Sequence, residues 1–152
     1  MYKLNRSLLD ITQSSLVGLA VGDALGVPVE FMSRQDVRKV SLTEMMGKDT
    51  PITFESRWGD LITAGAWSDD TSMTIASMES MIYQGGDIDY DDVMTQFLNW
   101  WRHGAYCSLS FPFGLGSTVS KARRSTSARP APRCTRFPAA TRTTHAIPNP
   151  SS

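Results

Sequence analysis

The sequence predicts an all-α fold, and three observations carry that prediction. Apolar residues recur at three- and four-residue spacing in three separate stretches. A residue suited to starting a helix opens the first and third, and acids and hydroxyls open the second. Glycine follows each stretch, where a helix most readily stops.

The first helix is expected from about Leu8 to Asp23, with Asn5 or Ser7 as its cap. Leu9, Leu16, Leu19 and Ala20 share one face, and Asp23 continues it at i+3 from Ala20 and i+4 from Leu19. A carboxylate on that face either reaches solvent or needs a cation or hydrogen bonds to compensate its burial. Gly18 and Gly22, four apart, allow another element to approach closely. Gly26 then ends the helix and Pro28 prevents its continuation. Glu30 is expected in a short extended segment between Val29 and Phe31. Apolar neighbours favour a raised carboxyl pKa and proton transfer, although a surface acid has the same signature.

Ser33 to Val40 reads as a short helix with Val37 and Val40 on its apolar side. Ser41 to Glu55 has little periodicity, and Arg57-Trp58-Gly59 and Ile62-Thr63-Ala64-Gly65 read as turns. An irregular connection this long within a compact domain is often functional. It leads to Ser68-Asp69-Asp70-Thr71, two adjacent carboxylates between two hydroxyls at the start of the second long helix, which runs to about Tyr83. Ser68, Asp69 and Asp70 offer hard oxygen donors that suit Mg²⁺ or Mn²⁺. The same residues are also ordinary helix-start residues that satisfy free N–H groups and the macrodipole. Ile75, Met78 and Ile82 mark the inward face, with Thr71 leading it, and Met73, Met78 and Met81 read as core filler. Gly85-Gly86 closes the helix. Asp89 caps the third, with Asp92 at its third position, and Val93, Phe97, Trp100 and Trp101 form a broad apolar face that reads as core. Gly104 ends it.

The chain of 152 residues is ordinary for a globular domain, at 41% hydrophobic and 20% charged. Its zero net charge conceals two unlike parts. Residues 1–120 hold all 15 acids against eight Lys and Arg, a net −7, whereas residues 121–152 hold the other seven basic residues and no acid. This tail also contains five of the eight prolines and no helical or strand period, so disorder is expected. Phe137 is its sole aromatic residue, which argues against a nucleic-acid arm. The abruptness of the switch at Lys121-Ala122 reads as a change of reading frame. Cys107, Cys134, His103 and His145 have no metal-type spacing, so zinc is not expected. The apolar run Leu16 to Val21 is far short of the ~20 residues that span a bilayer, and Asp10 and Asp23 flank it. No membrane association is expected, and the cytoplasm is the default location.

Three segments resemble the ADP-ribosylglycohydrolase family, which includes the dinitrogenase-reductase-activating glycohydrolases. They are Gly22-Asp23-Ala24-Leu25-Gly26-Val27-Pro28-Val29-Glu30, Ser68-Asp69-Asp70-Thr71, and Phe113-Gly114-Leu115-Gly116-Ser117-Thr118. The resemblance implies that residues 1–120 are the N-terminal part of that helical domain, with a core larger than these helices provide and therefore partly exposed apolar faces. It implies a metal-dependent hydrolase that cleaves the glycosidic bond between ADP-ribose and a modified protein side chain. The partner would be an ADP-ribosylated protein or an ADP-ribose-type small molecule. Glu30 would be the catalytic carboxylate, contacting the ribose or the attacking water. Ser68, Asp69 and Asp70 would hold Mg²⁺ or Mn²⁺, Asp23 would support them, and Thr71 would ligate or cap. The family completes a two-metal site with a later D-x-D-T/S cluster, yet no Asp follows Asp92 here. In the third segment Gly114 stands where many members carry Asp. The missing cluster predicts a partial coordination shell and an inactive chain, whereas Gly114 marks either a subfamily without that substrate-contacting Asp or a site weakened for ADP-ribosyl-arginine chemistry. The alternative is a non-catalytic helical fragment with weak metal or nucleotide binding.

Overall fold

The structure, a computed structural model, describes residues 7–40, 42–117 and 119–121. Its helices are α1 (Leu8–Gly26), α2 (Arg34–Val37), α3 (Asp69–Tyr83) and α4 (Tyr90–His103), with a 3-10 turn at Val27–Val29 and no strand among the described residues. The all-α expectation holds for this part. The tail expected to be disordered, and the frame change assigned to it, lie outside the described residues beyond Lys121.

Ser7, not Asn5, starts α1. Its hydroxyl accepts from Asp10 N–H at 3.1 Å, while the Asp10 carboxylate accepts from Ser7 N–H at 3.1 Å. The Ser7 hydroxyl, which donates to Asp10 Oδ2 at 2.7 Å, and then the Ser7 N–H hold the Asp10 carboxyl below its usual range. The helix runs past Asp23 and, as expected, ends at Gly26. There it tightens into the 3-10 turn, with Pro28 near its start. Proline has no N–H to give to a further α-helical turn, so the tighter pattern takes over. Glu30 N–H then bonds Val27 O at 3.2 Å. Glu30 therefore stands in a turn, not in the expected extended segment, and Phe31 follows at φ 67°. Helix α2 is shorter than the predicted Ser33–Val40 stretch, and Ser33 caps it by accepting from Asp36 N–H at 3.2 Å.

Helices α3 and α4 form the main helix pair. The stripe that α3 buries is small: Ser72, Ala76 and Ser80 are each at most 1% exposed. Ile82, expected inside, is 71% exposed, while Ile75 and Met78 are half-buried. Small residues every four positions let a neighbouring element come close, which an Ile and Met stripe would prevent. On α4, Trp100 is buried as expected, alongside Gln96 and Leu98, and Gly104 closes the helix in the left-handed conformation.

A second core joins the 3-10 turn to the irregular segments. Val27, Ile62, Ala66 and Phe113 are buried together, with Trp58 and Leu109 against them. By contrast α1 buries only Ala24, and Leu8, Leu9, Val17 and Val21 are exposed. Gly18 and Gly22 receive no close neighbour. Leu8–Val29 as a whole is long and apolar enough to cross a membrane by length and composition, unlike the shorter run read from sequence. The carboxylate of Asp23, however, ties this helix to α3.

Candidate active site

Asp23 is the anchor. One carboxylate oxygen, Oδ2, accepts from Ser68 N–H at 3.0 Å, Thr71 N–H at 3.1 Å and Thr71 Oγ1 at 2.7 Å. The other, Oδ1, accepts from Ser68 Oγ at 2.6 Å. Ser68 occupies the N-cap of α3 but makes no side-chain cap bond of its own. The cap comes instead from α1, through a side chain 45 residues earlier in the chain. Four donors and the positive end of the α3 dipole compensate the carboxylate that the helical stripe turned inward. The Thr71 hydroxyl proton is thereby committed to Asp23. The other flank of this start is held by the loop after α4, where Ser108 Oγ donates to Trp67 O at 2.9 Å and Trp67 Nε1 donates to Tyr106 O at 3.2 Å.

Because Asp23 fills the cap, Asp69 and Asp70 are released from that duty. Asp69 is half-buried and Asp70 exposed. Burial first, then the neighbouring Asp70 charge and more weakly Glu30, push the Asp69 carboxyl up to about 6, against the opposing pull of its own N–H and that of Gly116.

Gly114 explains how the third motif meets the second. It lies at φ 82°, and a Cβ there would fall 2.6 Å from Asp69 Oδ1 and 3.1 Å from Ser68 Cβ. Only glycine allows this backbone to close over Asp69. An Asp at this position, as in many family members, would collide with a like charge unless the segment moved.

Glu30 approaches from the other side. Trp58 Nε1 donates to Glu30 Oε2, and the Trp58 ring rests on Phe113 with centroids 5.3 Å apart. Trp58 was legible only as part of a turn; nothing in its spacing marked it as the partner of Glu30.

Glu30, Ser68, Asp69 and Asp70 line one open cleft of about 490 Å³, together with Leu19, Gly22, Gly26 and Val27 of the α1 end. Gly22 thus forms part of the cleft wall instead of admitting a packed helix. Among the described residues no basic side chain lines this space. The donors are hard oxygens, suited to Mg²⁺ or Mn²⁺. The Ser68 hydroxyl proton is committed to Asp23, which leaves its oxygen lone pairs available. Yet no three His, Cys, Asp or Glu side chains converge as a metal cluster among the described residues. The residues fit a divalent ion as part of a shell, with water needed for the remainder. Elsewhere, Cys107 is free and half-buried, and burial pushes its thiol pKa up.

Residues 5–147 match the ADP-ribosylglycohydrolase family, which carries the match well past residue 120, where the motif resemblance ends. ADP-ribosylarginine hydrolase Tri1 of Serratia proteamaculans is 34% identical over 114 residues, 75% of this chain and 28% of that protein. The protein of the same name from Pseudomonas putida is 31% identical over 114 residues, 75% of this chain and 27% of its own length. ADP-ribosyl-[dinitrogen reductase] glycohydrolase of Rhodospirillum rubrum is 30% identical over 118 residues, 78% of this chain and 35% of its own. The chain therefore spans between 27% and 35% of these three relatives. With a family match across most of its length and the motif residues gathered round one cleft, the chain belongs to the ADP-ribosylglycohydrolase family.

Proposed function

We propose that the cleft between Glu30 and the start of α3 serves a hydrolase that cleaves the glycosidic bond joining ADP-ribose to a modified protein side chain. The observation that carries this reading is the Asp23 cap, which frees Asp69 and Asp70 to face a cleft shared with Glu30. The names of the relatives from Serratia proteamaculans and Rhodospirillum rubrum support an ADP-ribosylated protein as substrate. A cytoplasmic setting, with no nucleic-acid or membrane partner, belongs to the same proposal.

Glycosidic cleavage at ribose passes through an oxocarbenium-like transition state with positive charge near the anomeric carbon. A cleft lined by Asp23, Glu30, Asp69 and Asp70 favours that charge over the neutral ground state. Glu30, whose Oε2 is fixed by the Trp58 indole, is the residue to face the ribose or the attacking water. Its second oxygen, Oε1, is the atom to accept a proton from that water. Ser68 Oγ and the carboxylates of Asp69 and Asp70 would hold Mg²⁺ or Mn²⁺, which supplies Lewis-acid polarisation of ribose hydroxyls and water when bound. No acid follows Asp92, so this set is a partial shell and turnover by the 152 residues alone is expected to be undetectable.

That no three ligand side chains converge among the described residues favours a second reading, a non-catalytic helical fragment. A release assay on ADP-ribosylated protein with Mg²⁺ or Mn²⁺, run beside ADP-ribose binding by calorimetry, separates the two. The proposal expects saturable ADP-ribose binding that Glu30→Gln and Asp69→Ala both weaken, without release. Absence of binding, or binding indifferent to both substitutions, contradicts it. Release that Asp69→Ala abolishes would overturn the partial-shell account and leave the hydrolase assignment stronger.

A further inference from the structure

Beside the cleft, the chain makes an arrangement that neither the capping of α3 nor the metal set uses. The Arg57 guanidinium carbon sits 4.7 Å from the centroid of the Phe31 ring and 5.1 Å from that of Trp58. Phe31 immediately follows Glu30, is 74% exposed, and holds φ at 67°, a conformation costly for a bulky residue. Strain at an exposed aromatic, maintained next to a candidate catalytic acid, is the kind of outlier that function sustains. Trp58 links the parts, since its indole N–H holds Glu30 while its ring face receives Arg57. Arg57 is itself exposed and forms no ion pair among the described residues, where Lys39 with Asp36 is the pair present.

Resting on the hydrolase reading above, we infer that Arg57 binds the pyrophosphate of a nucleoside diphosphate whose ribose enters the Glu30 cleft. Two aromatic rings hold the guanidinium beside Glu30, and a guanidinium held by cation–π contact keeps its N–H groups free to donate to a phosphate. A guanidinium held in advance suits bidentate phosphate recognition and lowers the ordering cost of binding. Charge supports the same assignment. Among the described residues the cleft walls carry Asp23, Glu30, Asp69 and Asp70 and no basic side chain, so no protein cation there meets the phosphates of an ADP-ribosyl group. Arg57 supplies that cation outside the acidic cleft, joined to its wall through Trp58, so that ribose and phosphates are sorted to opposite environments. Arg57 is thus a specificity-determining residue for the diphosphate and takes no part in bond cleavage.

The test is calorimetric titration of the 152-residue chain with ADP and, separately, with adenosine. Arg57→Ala is expected to weaken ADP by about tenfold or more, as loss of a charged hydrogen-bonding group does. It should leave adenosine unchanged and flatten the salt dependence of ADP binding. Arg57→Lys should recover only part of the loss, because it keeps the charge without the planar edge. Arg57 is exposed, so thermal unfolding of both variants should match the parent. Three outcomes overturn the inference: no binding of ADP to the parent chain, equal ADP affinity in Arg57→Ala, or equal weakening of ADP and adenosine. Neither ADP nor adenosine binding requires the Asp69 metal set. Failure here with the Asp69 responses intact therefore leaves the hydrolase reading standing, and the reverse pattern removes that reading.

Discussion

Helices α3 and α4 begin with the same local pattern, a cap residue followed closely by two acids, yet the two starts are built differently. At α4 the cap is local, because Asp89 accepts from Asp91 N–H at 3.0 Å and Asp92 N–H at 3.2 Å. At α3 the cap residue Ser68 gives its hydroxyl away, and Asp23 of α1 does the capping. A local cap makes acids in the first turn sufficiently explained by the helix dipole. An imported cap makes them surplus to helix formation, and their convergence costs something, as the raised Asp69 pKa records. The lesson is that a pair of acids at a helix start gains functional meaning when another element has already satisfied that start.

The comparison breaks most visibly at Asp23. Replacing Asp23 by Ala strands the buried Ser68 and Thr71 donors and should cost about 3 kcal/mol or more in urea unfolding, whereas Asp89→Ala should cost about 1 kcal/mol. Equal costs would mean that the two starts are equivalent. Gly114→Ala should cost about 1–3 kcal/mol, since it adds backbone strain beside Asp69. Gly114→Asp should cost more, and a mild effect of either would show that the 113–116 segment does not close over Asp69 as described.

Protonation sharpens the contrast at smaller amplitude. The folded-state pKa of Asp69 is raised from 3.8 to about 6, so the fold binds a proton more tightly than the unfolded chain. The resulting stability is fully present below pH 3.8 and is lost as pH rises through about 6. In metal-free buffer Asp69→Asn should flatten the change across that window and raise the midpoint at pH 7. Asp91→Asn should do the opposite, lowering stability by about 0.3–1 kcal/mol through the lost dipole interaction. A stabilising Asp91→Asn, or a destabilising Asp69→Asn, would erase the distinction.

The helical class, the Ser7 and Asp89 starts and the Gly104 stop were legible because each is a local signal. Asp23 was legible as an inward acid from its place on the stripe, but its four partners come from a helix start that sequence spacing cannot position. On α3, Thr71 is buried as expected and Ile75 and Met78 are half-buried, but Ile82 is exposed; apolar size does not mark the most buried positions, which are the small Ser72, Ala76 and Ser80. Pro28 suggests an extended Glu30 because proline cannot continue an α-helix, but a 3-10 turn accommodates it and puts Glu30 in a turn. Trp58 and Arg57 carried no periodic signal, and their positions depend on long-range contact with Glu30, Phe31 and Phe113.

On the function proposed above, the imported cap makes the α3 start a divalent-ion site while the α4 start stays structural. Mn²⁺ titration followed by electron paramagnetic resonance measures this directly in the parent chain, Asp69→Asn and Asp91→Asn. The account predicts Mn²⁺ binding that Asp69→Asn abolishes and Asp91→Asn leaves unchanged. Binding that survives Asp69→Asn, or that is absent from the parent chain, would contradict it.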